Sequence, residues 1–502
     1  MASPIKNVVI VGGGTAGWMA AASLAKFAQG KDLSVCLIES SQIATVGVGE
    51  ATVPNIVTFN RNLGIDEQEL IRATQATFKL GIQFEDWYKP GTRFFHPFAD
   101  YGLNIDQVEF HQYINRLSAH GKSHNIEDYC FASVLAKKGN FAQPHPNPPS
   151  PLADYAYAYH FDASLYAQYL QQFSSKLGVQ HIDAKISHAN VHQANGFIRS
   201  VSLQDGREVS GDLFIDCSGF QGLLIEQTLN TGYEDWSQWL FCDSAVTAQT
   251  QRNEVLNPFT RSIARKAGWQ WQIPLQHRTG NGYIYSSRFQ SDEDAQQLFL
   301  AHLEGQLVNE PRKLQFTPGR RKQIWHKNCF ALGLASGFLE PLESTSISLI
   351  QTAIAKLLSF FPDSEFAAAD IAEVNRLHNR EMENIRDFLI LHYKLSQRCD
   401  SEFWRACQAM PVPDSLAHKI ALYDSRGHIA LYDNESFQTA SWLSMYFGFN
   451  RQTRRYDPRA DRVDLQVLEQ KLAQMRANLD GIASQTMGHQ QFIDLHCQAT
   501  PL

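Results

Sequence analysis

The sequence lacks the features of several protein classes. Only 8 of its 502 residues are cysteine, and no two of them form a CxxC pair, so a zinc knuckle or iron–sulfur cluster is excluded and no metal site is predicted. Scattered, reduced thiols predict a cytoplasmic protein. No unbroken apolar run reaches the roughly 20 residues of a membrane span, so no membrane association is expected. A formal charge of -7 disfavours a nucleic-acid partner.

The residues that are present predict a large folded enzyme body. Apolar residues make up 44% of the chain, enough for a sizeable core without disulfides. Segments typical of strands occur at residues 8–11, 33–38, 197–209 (a hairpin), 212–216 and 329–333, whereas the pattern after about residue 345 is mostly helical. This mixture predicts an α/β (α+β) fold with discontinuous domains.

A glycine-rich motif follows the first strand and opens an Ala-rich helix. Gly12, Gly14 and Gly17 form GxGxxG, with Thr15 and Ala16 between the last two. Such glycines permit a tight turn, close approach to a pyrophosphate and close helix–strand packing. Glu39 ends the second strand, in range of a ribose hydroxyl. The motif predicts a dinucleotide site but does not separate FAD from NAD; the additional hairpin and strands at 197–219 and 329–333 favour FAD.

Four further segments carry a family resemblance. They are Phe78-Lys79-Leu80-Gly81, the WxWxIP element from Trp269 to Pro274, Glu340-Pro-Leu-Glu343-Ser344-Thr345, and Val48-Gly49-Glu50-Ala51-Thr52. Together with the glycine motif, and in the family's order from about residue 6 to about residue 450, they resemble the flavin-dependent halogenases, which include the tryptophan halogenases.

The resemblance implies a glutathione-reductase-type FAD-binding fold. The expected organisation is a discontinuous FAD-binding domain over residues 1–350, with inserted substrate-side elements at about 60–150 and 225–310. A mainly helical, substrate-binding region is expected over 351–502. Positions that align with flavin contacts in the family are Ser40, Gly49, Glu50, Ala51, Ile186, Leu334 and Ile347.

The resemblance also implies the chemistry. Reduced FAD (FADH2), oxygen and a halide, chloride or bromide, give hypohalous acid, which reaches a separate pocket and halogenates an electron-rich ring. Lys79 would position the oxidant by hydrogen bonding or carry it as a haloamine, and Glu343 would accept the ring proton. Thr345 and Ser346 occupy the halide position, although tryptophan halogenases commonly carry Gly where Ser346 stands.

The expected substrate region contains aromatic residues. His96 and Phe98 resemble the family's His-Pro-Phe piece, and Trp442 is predicted to line the pocket. Trp269 and Trp271 are expected on opposite sides of an extended segment, one walling the tunnel and the other packing. The clamp that grips tryptophan's amino and carboxylate groups has no clear counterpart, which favours free indole or a phenol. Glu435 is either an ammonium partner or a solvated loop charge.

Other functions stay open at this point. A single-component FAD-dependent aromatic hydroxylase would need NAD(P)H docking, and a non-catalytic flavin module would not need Lys79 or Glu343. The sequence has no second GxGxxG, which favours reduced flavin supplied by a separate NADH-dependent flavin reductase. The resemblance also implies a homodimer.

Overall fold

The computed structural model describes residues 3–43 and 49–500. The strands of these residues are, in chain order, β1 (Asn7–Val11), β2 (Ser34–Glu39), β3 (Gly49–Ala51), β4 (Thr77–Lys79), β5 (Gly81–Glu85), β6 (Arg93–Pro97), β7 (Ala158–Asp162), β8 (Gln180–Asp183), β9 (Ile186–Val191), β10 (Ile198–Leu203), β11 (Glu208–Ser210), β12 (Leu213–Asp216), β13 (Tyr233–Asp235), β14 (Ser244–Gln251), β15 (Thr260–Arg265), β16 (Gly268–Pro274), β17 (Arg278–Tyr285), β18 (Arg312–Gln315), β19 (Gly319–Arg321), β20 (Trp325–His326), β21 (Cys329–Ala331) and β22 (Gly337–Phe338).

The helices are α1 (Thr15–Ala28), α2 (Asn55–Leu63), α3 (Glu67–Ala73), α4 (Phe110–Ala119), α5 (Phe131–Lys138), α6 (Ala163–Lys176), α7 (Asp292–Ala301), α8 (Ser346–Ser359), α9 (Ala368–Leu395), α10 (Glu402–Ala409), α11 (Asp414–Arg426), α12 (Thr439–Gly448), α13 (Leu465–Ala483) and α14 (His489–His496). Short 3₁₀ turns occur at Ile126–Tyr129, Pro151–Ala153, Gly219–Gln221, Gly333–Ala335, Pro341–Glu343 and Pro458–Arg462. Across the described parts of the chain, no helix is long and apolar enough to span a membrane.

The chain divides into two compact units. The first unit comprises Met1–Ala76, Phe161–Gln238 and Gln315–Glu383, and the second comprises Thr77–His160, Trp239–Leu314 and Asn384–Leu502. The sequence pattern places a boundary at residue 350, inside α8. The contacts place α8 in the first unit, because this helix packs on α1.

The first unit contains the Rossmann element. Its six-stranded sheet has the order β20-β21-β12-β1-β2-β8, and all neighbours are parallel except the edge strand β20. Parallel strands covered on both faces need continuous apolar runs, and Val8 to Val11 is such a run. The hairpin predicted at 197–209 is formed by β10 and β11. The predicted α/β class is confirmed.

The second unit is built on a mixed seven-stranded sheet. Its order is β18-β14-β17-β16-β15-β5-β6, with β15 and β5 parallel and the pairs from β14 to β15 antiparallel. Every residue of β16 and β17 is buried. Helices α10 to α14 belong to this unit, where α12 packs on β6 and α13 on α5. A short pair, β4 with β7, carries Lys79 opposite Ala158.

Candidate active site

The glycine loop between β1 and α1 is fixed by close backbone contacts. Gly12 has φ +109°, and a Cβ there would lie 2.3 Å from the Cys217 carbonyl oxygen. A Cβ at Gly17 would lie 1.9 Å from the Gly12 carbonyl oxygen. Only glycine fits either position, as predicted from the motif.

Gly14 differs from its two neighbours in the motif because its surroundings are open. No heavy atom lies within 4 Å of a Cβ built on it. It is the N-cap of α1 and offers no side-chain cap, so the first-turn N–H groups at Thr15 and Ala16 stay available. An open, positively polarised helix start suits a phosphate. The loop therefore fits the pyrophosphate of FAD.

Gly14→Ala is expected to separate cofactor binding from folding. The added methyl meets no protein atom and φ is -73°, so the free energy of unfolding should change by less than about 0.5 kcal/mol. The methyl would occupy the space in front of α1, so FAD affinity should fall at least about tenfold. Thermal unfolding and flavin titration measure the two effects. Gly17→Ala is the contrasting variant and should fail to fold; Gly14→Ala with wild-type FAD affinity would contradict the assignment.

Glu39 lies beside the glycine loop. A Cβ on Gly13 would lie 1.6 Å from Glu39 Oε2, and Oε1 lies 2.9 Å from His181 Nε2. Burial raises the pKa of Glu39, against the opposing effect of His181. The carboxyl group therefore lies beside the glycine loop, and His181 and Trp18 are neighbours that the sequence did not indicate.

The other predicted flavin positions of the first unit lie on several elements. Gly333 has φ +61°, and a Cβ there would be 2.8 Å from Ala16 Cβ, so the turn that carries the half-buried Leu334 touches the start of α1. The Ala184 N–H donates to the Glu39 carbonyl, two residues before Ile186. Ser40 Oγ accepts from the Gln42 N–H next to β2.

The segment Gly49-Glu50-Ala51 forms β3, and Val48 lies outside the described residues. Burial raises the pKa of Glu50 to about 7. The sequence did not indicate this shift.

Glu343 precedes a sharp turn into α8. It ends the Pro341–Glu343 turn and is 1% exposed. Ser344 follows with φ +59°, and Ile347 lies in the first turn of the helix. Thr345 is the N-cap and is buried, but within the described residues its Oγ1 has no hydrogen-bond partner. An orphaned hydroxyl beside uncapped N–H groups suits a small anion. The Thr345 and Ser346 segment therefore fits a halide.

Lys79 of the second unit is fully buried. It ends β4 with 0% exposure, and its Nζ lies 5.2 Å from the ring centroid of Phe98. Burial and the nearby Lys79 hold the pKa of His160 well below its usual range, so this histidine is neutral. The Lys79 amine therefore lies in the interior, next to an aromatic ring, and is not solvated.

His96 and Trp442 belong to one aromatic cluster. The ring centroid of His96 lies 5.9 Å from Phe388 and 6.3 Å from Phe437. Phe388 stacks on Phe437 at 4.0 Å and meets Trp442 edge-on at 5.1 Å. Phe388 and Phe437 were missing from the predicted site residues. Stacked and edge-on contacts of this kind are the arrangements that aromatic side chains prefer.

The prediction for Trp269 and Trp271 was wrong in one respect. Both lie in β16, but their ring centroids are 5.9 Å apart, on the same face. Residues two apart on a strand share a face because side chains alternate with a period of two. Trp269 also packs 6.4 Å from Trp87, and both WxWxIP rings are buried. The two rings therefore lie side by side on one face of β16, and this pair is called the tryptophan wall below.

Glu435 is not a solvated loop charge. Its side chain is 2% exposed and pairs with Lys419, which is equally buried. Lys419 Nζ also lies 4.1 Å from the Trp442 ring centroid and 4.5 Å from that of Tyr432. Lys419 pairs with Oε1 of this carboxyl group, whereas Oε2 is buried and has no hydrogen-bond partner within the described residues. Lys419 is thus a neighbour of the aromatic cluster, and the sequence did not indicate this contact.

Comparison with known proteins gives one consistent family. The model of the tryptophan halogenase family matches residues 7–465. Tryptophan 7-halogenase RebH from Lentzea aerocolonigenes is 37% identical over 444 residues, covering 84% of this chain and 82% of that protein. Two solved flavin-dependent halogenases are also similar. BrvH from Brevundimonas sp. BAL3 is 47% identical with a TM-score of 0.95, and the match covers 98% of this chain and 99% of BrvH. Xcc4156 from Xanthomonas campestris is 44% identical with a TM-score of 0.96, and the match covers 99% of this chain and 100% of Xcc4156.

Proposed function

Because the chain belongs to the tryptophan halogenase family and is a flavin-dependent halogenase, we propose that it halogenates a neutral, electron-rich arene such as indole. The observation that carries the proposal is the buried Lys79 amine against Phe98. When bound, reduced FAD would supply two electrons to oxygen, and the activated oxygen would oxidise the halide to hypohalous acid (FADH2 + O2 + X⁻ + H⁺ → FAD + HOX + H2O). The net transfer is ArH + HOX → ArX + H2O, where X is the halogen.

Four of the predicted residues act directly in this transfer. The N–H groups and hydroxyl at Thr345 and Ser346 hold the halide before it is oxidised. Lys79 donates a hydrogen bond to the hypohalous acid, or carries the halogen on its nitrogen, and so directs it at the ring. Glu343 accepts the proton that leaves the ring carbon.

The substrate proposal is supported by the charge balance of the aromatic cluster. His96, Phe388 and Phe437 contribute aromatic rings, and the buried charges of Lys419 and Glu435 are paired with each other. A free indole needs no partner for an ammonium or a carboxylate. Tryptophan would leave both groups poorly paired, which costs affinity.

The enzyme needs reduced flavin, and this need determines which partner protein it requires. A separate NADH-dependent flavin reductase would supply FADH2, and loose flavin binding would follow because the cofactor must exchange. The reaction would take place in the cytoplasm, where the eight free cysteines would remain reduced. The active form would be a homodimer.

A substrate panel tests the proposal. With a flavin reductase, NADH, oxygen and either halide, mass spectrometry should detect halogenated indole formed faster than halogenated tryptophan. The isotope pattern identifies the halogen. Clean turnover of tryptophan at one ring carbon, with indole left unchanged, would overturn the substrate assignment.

A further inference from the structure

The last helix of the chain contacts the strand that carries Lys79. Helix α14 lies beyond residue 465, where the family match ends. Its first residue, His489, is 1% exposed, and its N–H donates to the Gly139 carbonyl at 2.9 Å. The preceding Met487 carbonyl accepts from the Phe141 N–H at 3.1 Å. The start of α14 is therefore fixed in the interior of the second unit.

The His489 ring joins two distant segments. Its Nε2 accepts from the Phe78 N–H at 3.1 Å, and its Nδ1 lies 2.8 Å from the Leu256 carbonyl oxygen. An amide N–H only donates and a carbonyl only accepts, so the proton must be on Nδ1. The ring must therefore be neutral. Burial also lowers the pKa of His489 to about 4, which favours the neutral ring that the two hydrogen bonds require.

The hydrogen bond to Phe78 matters because Phe78 directly precedes Lys79. Successive side chains of β4 point to opposite faces, so Phe78 and Lys79 lie on opposite sides of the strand. The Phe78 ring stacks on Phe141 at 4.2 Å and meets Phe492 of α14 at 5.4 Å. Helix α14 thus holds β4 from the face opposite the amine and leaves the amine itself uncovered by this contact.

The same tail contacts the end of the WxWxIP strand. Gln276 accepts from the Ala499 N–H at 2.8 Å and donates to the Cys497 carbonyl at 3.3 Å. Two residues earlier, the Pro274 carbonyl accepts from the Thr77 hydroxyl at 2.7 Å. The tail therefore supports both the strand of Lys79 and the end of the tryptophan wall.

From these contacts we infer that His489 is a positioning residue for Lys79, fixing the strand so that the oxidised halogen reaches the arene instead of escaping. The inference rests on the proposed role of Lys79. His489 touches neither substrate nor cofactor in this account. Loss of the His489 ring should reduce the share of the oxidant that reaches the arene. The reason is that a displacement of the amine by about 1 Å can lower the reaction rate on the order of a hundredfold.

Three variants test the inference. His489→Phe keeps a ring and removes both hydrogen bonds, His489→Gln keeps an acceptor near the Nε2 position, and His496→Gln is the matched control on an exposed site of α14. For His489→Phe, halogenated product per reduced flavin consumed should fall at least about tenfold. Hypohalous acid caught by an added chemical trap should rise, and His489→Gln should recover part of the loss.

Amide hydrogen exchange gives a readout that does not depend on halogenation. In His489→Phe, the peptide covering residues 77–80 should exchange faster than in wild type, with partial protection returning in His489→Gln and full protection in His496→Gln. Wild-type exchange and wild-type product yield in His489→Phe would overturn the inference. If the wild type made no halogenated product, the role of Lys79 would fail, but the exchange data would still decide whether His489 holds the strand.

Discussion

Lys79→Met is expected to lower the rate of arene halogenation at least about a hundredfold, the cost of removing a preorganised donor from a buried site. Methionine has a similar length and no N–H, so the oxidant would have neither a hydrogen-bond donor nor a nitrogen to bind. The fold should survive, because methionine fills a similar volume in the buried site. Reduced flavin should still be consumed. The measurement is the initial rate of halogenated product by mass spectrometry.

The matched control is Lys137→Met. Lys137 belongs to the same unit, but its side chain is 41% exposed and pairs with Glu127 and Asp128 on the surface. It should halogenate at the wild-type rate. A Lys79→Met enzyme with a wild-type rate would remove the amine from the mechanism.

Glu343→Gln is expected to have the second largest effect, a loss of about a hundredfold or more in halogenation rate. Glutamine keeps the shape of this 1% exposed side chain but cannot take the ring proton. Loss of the proton should become slow enough to limit the rate. A substrate deuterated at the reacting carbon should then show a primary isotope effect in the variant.

The exposed Glu365 of the same unit provides the control. Glu365→Gln should match the wild type in rate and show no new isotope effect. An unchanged rate in Glu343→Gln would mean that the ring proton leaves to another acceptor, such as water.

Local patterns were sufficient to predict the cofactor side of the fold. The Gly12 turn, β1 and α1 are specified by residues close together in sequence, and the backbone contacts at Gly12 and Gly17 explain why these positions must be glycine. The turn at Ser344 and Thr345 likewise leads directly into the next helix of the chain, α8.

Long-range pairs escaped prediction. His489 bonds to Phe78 across 411 residues, and no local pattern marks either one. Lys419 and Glu435 lie on a helix and a later loop, and a charged residue usually reads as solvated until its burial is known. The error at Trp269 and Trp271 had a simpler origin, since the two-residue period of a strand already places both rings on one face.

The hydroxylase alternative is not favoured by the family comparison, in which the relatives and the solved neighbours are halogenases. The two reactions differ in the fate of the oxygen atom. A halogenase releases it as water, whereas a hydroxylase leaves it on the ring. The product therefore records which reaction took place.

The most direct measurement is mass spectrometry of the product formed from indole under ¹⁸O₂ with bromide, NADH and a flavin reductase. The account predicts an indole carrying the isotope doublet of bromine and no ¹⁸O. An indole carrying ¹⁸O and no halogen would contradict it.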